Sequence, residues 1–246
     1  LYLTLSIVAL VFAPAAILFF YFWVRDRWER EPWSILVSLL GLGCVAVLPA
    51  AVFEAVIVGF KFEVTTLWHA AVMGFLVAGL VEETIKFMIA YWFTKRSSYF
   101  SEEYDGIIYT VAVGLGFAFA ENILYIGAAL MSEGAPLATA IARAFTAVPS
   151  HALDGAVMGY FIGRAHFAEG PTERLKLNSL GLLFAILFHG LYDFFAFSTF
   201  VLPERVAGWS IAGLLWTLCV QWGTVHRFIV TAQLKSLARA RLNAGK

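Results

Sequence analysis

Four apolar stretches of this chain carry acid, amide and imidazole side chains at helical spacing. The stretch GLVEETIKF sets Glu82 and Lys86 four residues apart on one helix face, with Glu83 about 100° round the helix. GLGFAFAEN ends in Glu121 and Asn122. PSHALDG carries His151, Asp154 and Gly155, and FHGLYD carries His189 and Asp193, again one turn apart. A buried carboxylate can take a proton from water at neutral pH, and imidazoles can position that water, ligate a metal or hold an oxyanion. Attack of water on a peptide bond fits this inventory. No Ser-Lys or Ser-His pairing stands out, and no HExxH is present. Two His with one or two Glu could still form a zinc shell with an open position.

These groups need elements to carry them, and the composition says which. The chain of 246 residues is 61% hydrophobic and 14% charged, with a mean hydropathy of +0.81. A soluble domain carries roughly 25% charged residues. The expectation is an all-α polytopic transmembrane helix bundle forming a single membrane domain over 1–246. Seven apolar segments are long enough to span: 2–24, 33–60, 67–93, 106–130, 138–163, 177–200 and 208–231. The first lacks a basic start and a small-residue cleavage site, so it reads as a retained helix. Net charge is zero, which points away from a nucleic-acid partner. Cys44 and Cys219 sit in apolar runs without a CxxC.

Lys and Arg alternate from loop to loop. Arg25, Arg27 and Arg30, then Lys95 and Arg96, then Arg164, Arg174 and Lys176, then the tail from Arg227 to Lys246 fall on one side; Lys61 and Arg205 fall on the other. The positive-inside rule then puts the N-terminus outside and the C-terminus in the cytoplasm. Counting 1.5 Å per residue from the cytoplasmic ends, Glu82 lies roughly 16 Å deep, His151 and His189 roughly 18 Å, Glu121 roughly 22 Å and Asp193 roughly 24 Å. Charge facing lipid is expensive, so the cheap arrangement has these helices face one another. Gly155, Gly159 and Gly163, spaced by four, would let the fifth span approach a neighbour closely, and Gly114 and Gly116 could do the same for the fourth. Asp105 reads as a cap for the fourth span. Arg143 either snorkels or pairs with an acid, and Glu54 reads as either another buried acid or, the favoured reading, a residue near the outer interface. Glu82–Lys86 taken alone could be a self-neutralising ion pair, and either His alone a hydrogen-bonding strut.

In order along the chain, Glu82-Glu83-x-x-Lys86, Phe117-x-x-x-Glu121-Asn122, His151-x-x-x-Gly155 and His189-x-x-x-Asp193 resemble the PrsW family of intramembrane proteases. That family is similar to the CAAX prenyl endopeptidases. The resemblance covers about residues 70–200. It implies cleavage of membrane-anchored proteins, anti-sigma factors among them, in a bacterial inner or plasma membrane. It also implies that Glu82 is the general base with Glu83 beside it, and that Glu121, His151 and His189 complete a water or metal site. Lys86, Asn122 and Asp193 would support them, Asn122 and Asp193 by orienting neighbours or holding the oxyanion. A ligand set of Glu121, His151 and His189 would suit zinc, and a metal-free, glutamate-activated water is the other possibility. The competing reading is a proton-coupled transporter or relay, which buried charges on several helices also mark. The absence of an internal repeat counts against it, and a scaffold with buried polar contacts is a third reading.

The orientation yields a labelling prediction. A cysteine placed at Ser98 should resist an impermeant thiol reagent in intact cells and react once the membrane is opened. Efficient labelling from outside would invert the topology.

Overall fold

The computed structural model describes residues 2–59, 63–132 and 134–244, so Lys61 and Lys246, counted above among the loop charges, lie outside it. The described elements are helical throughout. Helix α1 spans Tyr2–Trp23 and α2 Trp33–Val58. A continuous rod follows, made of α3 (Leu67–Ala71), a π-helical stretch Val72–Gly79 and α4 (Leu80–Arg96). Then come α5 (Glu103–Met131), α6 (Pro136–Phe145), α7 (Ala147–His166), α8 (Pro171–Val201) and α9 (Glu204–Ala244).

Helix α5 is the centre of the bundle. Every residue from Glu103 to Ala118 is buried, and in α7 every residue from Ser150 to Gly163 is buried. Peripheral α1 and α2 instead turn Phe12, Ile17, Phe20, Val45, Leu48 and Val52 outward, a pattern that suits a hydrocarbon solvent. Among the described residues four helices are long and apolar enough to cross a membrane: α1, α2, α5 and α8. The other segments expected to span depart from that form for visible reasons. The third is interrupted by the π stretch, and its α4 part carries Glu82, Glu83 and Lys86.

The fifth expected span, 138–163, is two helices. It breaks at Thr146, which leaves the helical region at φ −126°, ψ −64°. Pro149 explains the break, because a proline ring clashes with the carbonyl four residues back, here Phe145, and donates no N–H. Pro149 was a visible signal for this break. Arg143 therefore sits on α6 and His151 on α7, with independent orientations.

The glycine stripe does what its spacing suggested. A Cβ on Gly159 would collide with the Gly106 carbonyl and the Thr110 hydroxyl, one on Gly155 with the Thr110 carbonyl, and one on Gly163 with the Glu103 carbonyl. Gly114 meets the His151 carbonyl in the same way, and Gly116 meets Leu40 of α2. The π stretch is similarly tight against α8, since Gly74 faces the Gly190 carbonyl and Gly79 that of Ile186. These contacts bring α5 to backbone distance of α7 and the π stretch that leads into α4 to backbone distance of α8, and Gly181 of α8 meets the Met158 carbonyl of α7. Helices α4, α5, α7 and α8 all carry the polar motifs.

Gly159→Val should cost about 1–3 kcal/mol or more, because its neighbours are backbone atoms that cannot yield. Gly41→Ala, where an added methyl meets nothing within 4 Å, should leave the melting temperature in detergent unchanged. Equal melting of the two variants would contradict the seam.

Candidate active site

The four motif helices converge on one cluster. Lys86 is 4% exposed and stands at its centre, with Nζ 3.0 Å from Glu82 Oε2, 2.8 Å from Glu83 Oε1 and 3.0 Å from His151 Nδ1. An ammonium has three protons and no acceptor, so these three contacts use all of them. His151 Nδ1 must then accept, which places the ring proton on Nε2, where it donates to Glu121 Oε2 at 2.9 Å. Lys86 also lies 4.0 Å from the centre of the Phe117 ring, the aromatic that opens the Phe117-x-x-x-Glu121 motif.

His189 closes the other side. Its Nδ1 is 2.8 Å from Glu83 Oε1, and its Nε2 is 3.3 Å from Asp193 Oδ2 and 3.8 Å from Glu82 Oε2. The His151 and His189 rings meet edge to face, 5.3 Å between centres. Glu121 is held by Arg143, whose guanidinium donates to Glu121 Oε2 and to Asn122 Oδ1, both at 2.6 Å, and lies 4.0 Å over the Tyr125 ring. Asn122 thus orients Arg143.

A cavity of about 480 Å³ reaches this cluster. Glu82, Glu121, His151, His189 and Asp193 line it, whereas Glu83, Lys86 and Asn122 lie behind its wall. All eight residues singled out in the sequence fall in or against one site. Sequence reasoning placed Glu54 at the outer interface, but its half-buried side chain lines the same cavity, because α2 packs against the π stretch and α4. Arg143 was left open between snorkelling and pairing, and it pairs. Two other residues contribute: Asp154, read beside His151 in the sequence but given no role there, and Tyr192, which the sequence does not mark. Asp154 is fully buried, accepts from Gln221 Nε2 at 2.6 Å and stands 3.8 Å from His189. Tyr192 lines the cavity and exchanges a 2.8 Å hydrogen bond with Thr146 at the α6–α7 break. Asp154 lies one turn after His151, a signal available in the sequence. Tyr192 had none. A larger cavity of about 840 Å³ between α4, α7 and α8 is lined by Tyr91, Lys95, His166 and Arg174 and contains no carboxylate.

The family model described as PrsW family intramembrane metalloprotease matches residues 31–237. The chain belongs to the PrsW family. It is 33% identical to the Protease PrsW of Geobacillus kaustophilus over 234 residues, covering 95% of this chain and 94% of that one. Against the Protease PrsW of Bacillus subtilis it is 34% identical over 194 residues, 77% of this chain and 82% of the other. Against that of Oceanobacillus iheyensis the figures are 35% over 214 residues, 85% and 93%. No solved structure matches the chain. As a PrsW-family member the chain is an intramembrane peptidase, and the buried Glu/His cluster is the chemistry that such an enzyme needs.

A family of metalloproteases implies a metal, and the donors fit one. Glu82, Glu83, His151 and His189 each offer a ligand atom, and these atoms all lie within 4.8 Å of one another. Glu121, expected among the ligands, is instead engaged by Arg143 and His151. An ion in this donor set competes with the Lys86 ammonium for Glu82, Glu83 and His151.

Removing one partner of a buried ion pair typically costs about 3–5 kcal/mol. Arg143→Met should lower the melting temperature accordingly, and a further Glu121→Gln should restore most of it without restoring cleavage. A double variant no more stable than Arg143→Met would mean that the pair is not what Arg143 supplies.

Proposed function

We propose that the chain is an endopeptidase of membrane-anchored protein substrates in which Glu82 activates the attacking water. The observation that carries this reading is the asymmetry of the Glu pair: Glu82 lines the cavity and Glu83 is fully buried behind it. Glu82 can therefore meet water, while Glu83 fixes Lys86 and His189 from the rear. Glu82 takes a proton from water as its oxygen attacks the scissile carbonyl. Arg143 lines the same cavity and offers guanidinium protons to the oxyanion, so that of the two roles the sequence reading left open for Asn122 and Asp193, orienting neighbours is the one they keep. The proton on Glu82 then passes to the leaving amine, while Asp193 and Glu83 hold the His189 ring against Glu82.

Of the four donors, Glu83, His151 and His189 would hold a zinc ion, a two-imidazole, one-carboxylate set common to hydrolytic zinc sites. When bound, such an ion supplies Lewis acidity to water and carbonyl. The substrates we propose are single-span proteins such as anti-sigma factors, in a bacterial plasma membrane crossed with the N-terminus outside and the C-terminus inside. The core at about residues 70–200 carries the chemistry.

Glu82→Gln keeps size and most hydrogen bonding but accepts no proton. In reconstituted vesicles its cleavage rate should fall about 10²–10⁴-fold, the usual contribution of a general base, with the melting temperature retained. A strong chelator should abolish wild-type cleavage and added zinc should restore it. Membrane proteins from cells carrying Glu82→Ala, compared by mass spectrometry with wild type, should show the substrate uncleaved. Wild-type rates from purified Glu82→Gln would falsify the assignment.

A further inference from the structure

Away from the buried Glu/His cluster, a second group of carboxylates is buried, and among the described residues none of them forms an ion pair. The loop between α1 and α2 supplies Asp26 and Glu31, and the start of α5 supplies Glu102 and Asp105. Their exposures are 0%, 3%, 4% and 0%. Three of the four are fixed through one oxygen. Asp26 Oδ2 accepts from the Glu31 N–H at 3.1 Å, and Glu31 Oε2 accepts from the Tyr109 hydroxyl at 2.9 Å. Asp105 Oδ2 accepts from the N–H groups of Ser101 and Glu102 at 2.7 and 2.8 Å, the cap expected from the sequence.

The remaining oxygens decide the matter. Asp26 Oδ1, Glu31 Oε1, Glu102 Oε1 and Asp105 Oδ1 are all buried, and none accepts a hydrogen bond from a donor among the described residues. Their nearest polar neighbours are one another, with Glu102 against Asp26 and the Ser236 hydroxyl and Glu31 against Asp105. Asp26, Glu102 and Asp105 each present a carboxylate oxygen within 4.8 Å of the others. Nearby basic side chains are committed elsewhere. Arg239 pairs with Glu103 at 2.7 Å, and Arg30 lies over the Trp23 ring with its Nε on the Asp26 carbonyl. A buried carboxylate oxygen with no partner costs more than one left in water. Four of them in one place call for an occupant with positive charge.

We propose that Asp26, Glu102 and Asp105, with Glu31 beside them, form a structural site for one hard divalent cation, Mg²⁺ or Ca²⁺. All-oxygen ligation is what these ions select, and it excludes the soft metals that seek His or Cys. Oxygens about 2.1 to 2.4 Å from one ion stand about 3 to 5 Å apart, and the oxygens of Asp26, Glu102 and Asp105 all lie within 4.8 Å of one another. The ion ties the α1–α2 loop to the first turn of α5. The competing occupant is the proton: burial, with repulsion from Asp26, pushes Glu102 up to about 8 and Glu31 up to about 7.

The test is thermal unfolding of the full chain in detergent after chelation. MgCl₂ and CaCl₂ are each titrated against NaCl of matched ionic strength, and bound metal is counted by elemental analysis after dialysis. Wild type should show a saturable rise of several degrees with at least one ion, and the responding ion identifies the occupant. Asp26→Asn and Glu102→Gln should lose the rise and one bound ion per chain. A Glu82→Gln/His189→Ala variant, in which the catalytic donors are removed, should keep both. If the site variants fail to fold, the count in this catalytic variant still decides. No rise beyond NaCl, a rise that survives in both site variants, or one lost only with the catalytic donors overturns the site. So does stabilisation by acid alone with no response to either ion, which assigns the oxygens to shared protons.

Discussion

The interaction on which the buried Glu/His cluster depends is the three-way contact of the Lys86 ammonium with Glu82, Glu83 and His151. In a low-dielectric interior two adjacent carboxylates repel strongly unless a cation stands between them. Lys86 is that cation, supplied from the same helix at i+3 and i+4. Because an ammonium has no acceptor, it also sets the tautomer of His151, which orients the bond to Glu121, and Glu121 in turn holds Arg143. One side chain on α4 thereby fixes the protonation pattern on α5, α6 and α7.

That chain of contacts requires helix backbones close enough for side chains of ordinary length to meet. The glycine seam between α5 and α7 and the π stretch against α8 provide the approach. The widened helical turn lies directly before Glu82 and Glu83, and such departures from α geometry are frequent at functional sites. Here it coincides with the glycines that let α8 bring His189 to Glu83.

Much of this was legible in the sequence because membrane helices obey few rules. Charge facing lipid is costly, so convergence was the cheap arrangement for Glu82, Glu121, His151 and His189 at similar depth. Small residues four apart were compatible with a seam, and the structure has one. What escaped notice depends on facing and breaks, which depth arithmetic does not encode. Glu54 has the same distance from its helix end whether it faces lipid or cavity, and packing of α2 on α4 decides between them. The hydropathy of 138–163 is continuous across Thr146, so a hydropathy window overrides Pro149. Tyr192 acts through Thr146, a partner that exists only once α6 has been turned away from α7.

The separate course of α6 also gives the reaction a direction of discharge. Peptide hydrolysis turns a neutral amide into a carboxylate and an ammonium, two ends that hydrocarbon repels. Helix α6 has ten residues and is about 15 Å long, half the thickness of a bilayer core. It borders the cavity together with Leu124 and Tyr125 of α5 and Phe200 of α8. On the other side, the unbroken buried run from Glu103 to Ala118 seals α5. On the mechanism proposed above, newly charged ends would find their shortest way out past α6, where the cavity wall is one short helix. The cavity is walled unequally, by a long buried helix on one side and by ten residues of α6 on the other.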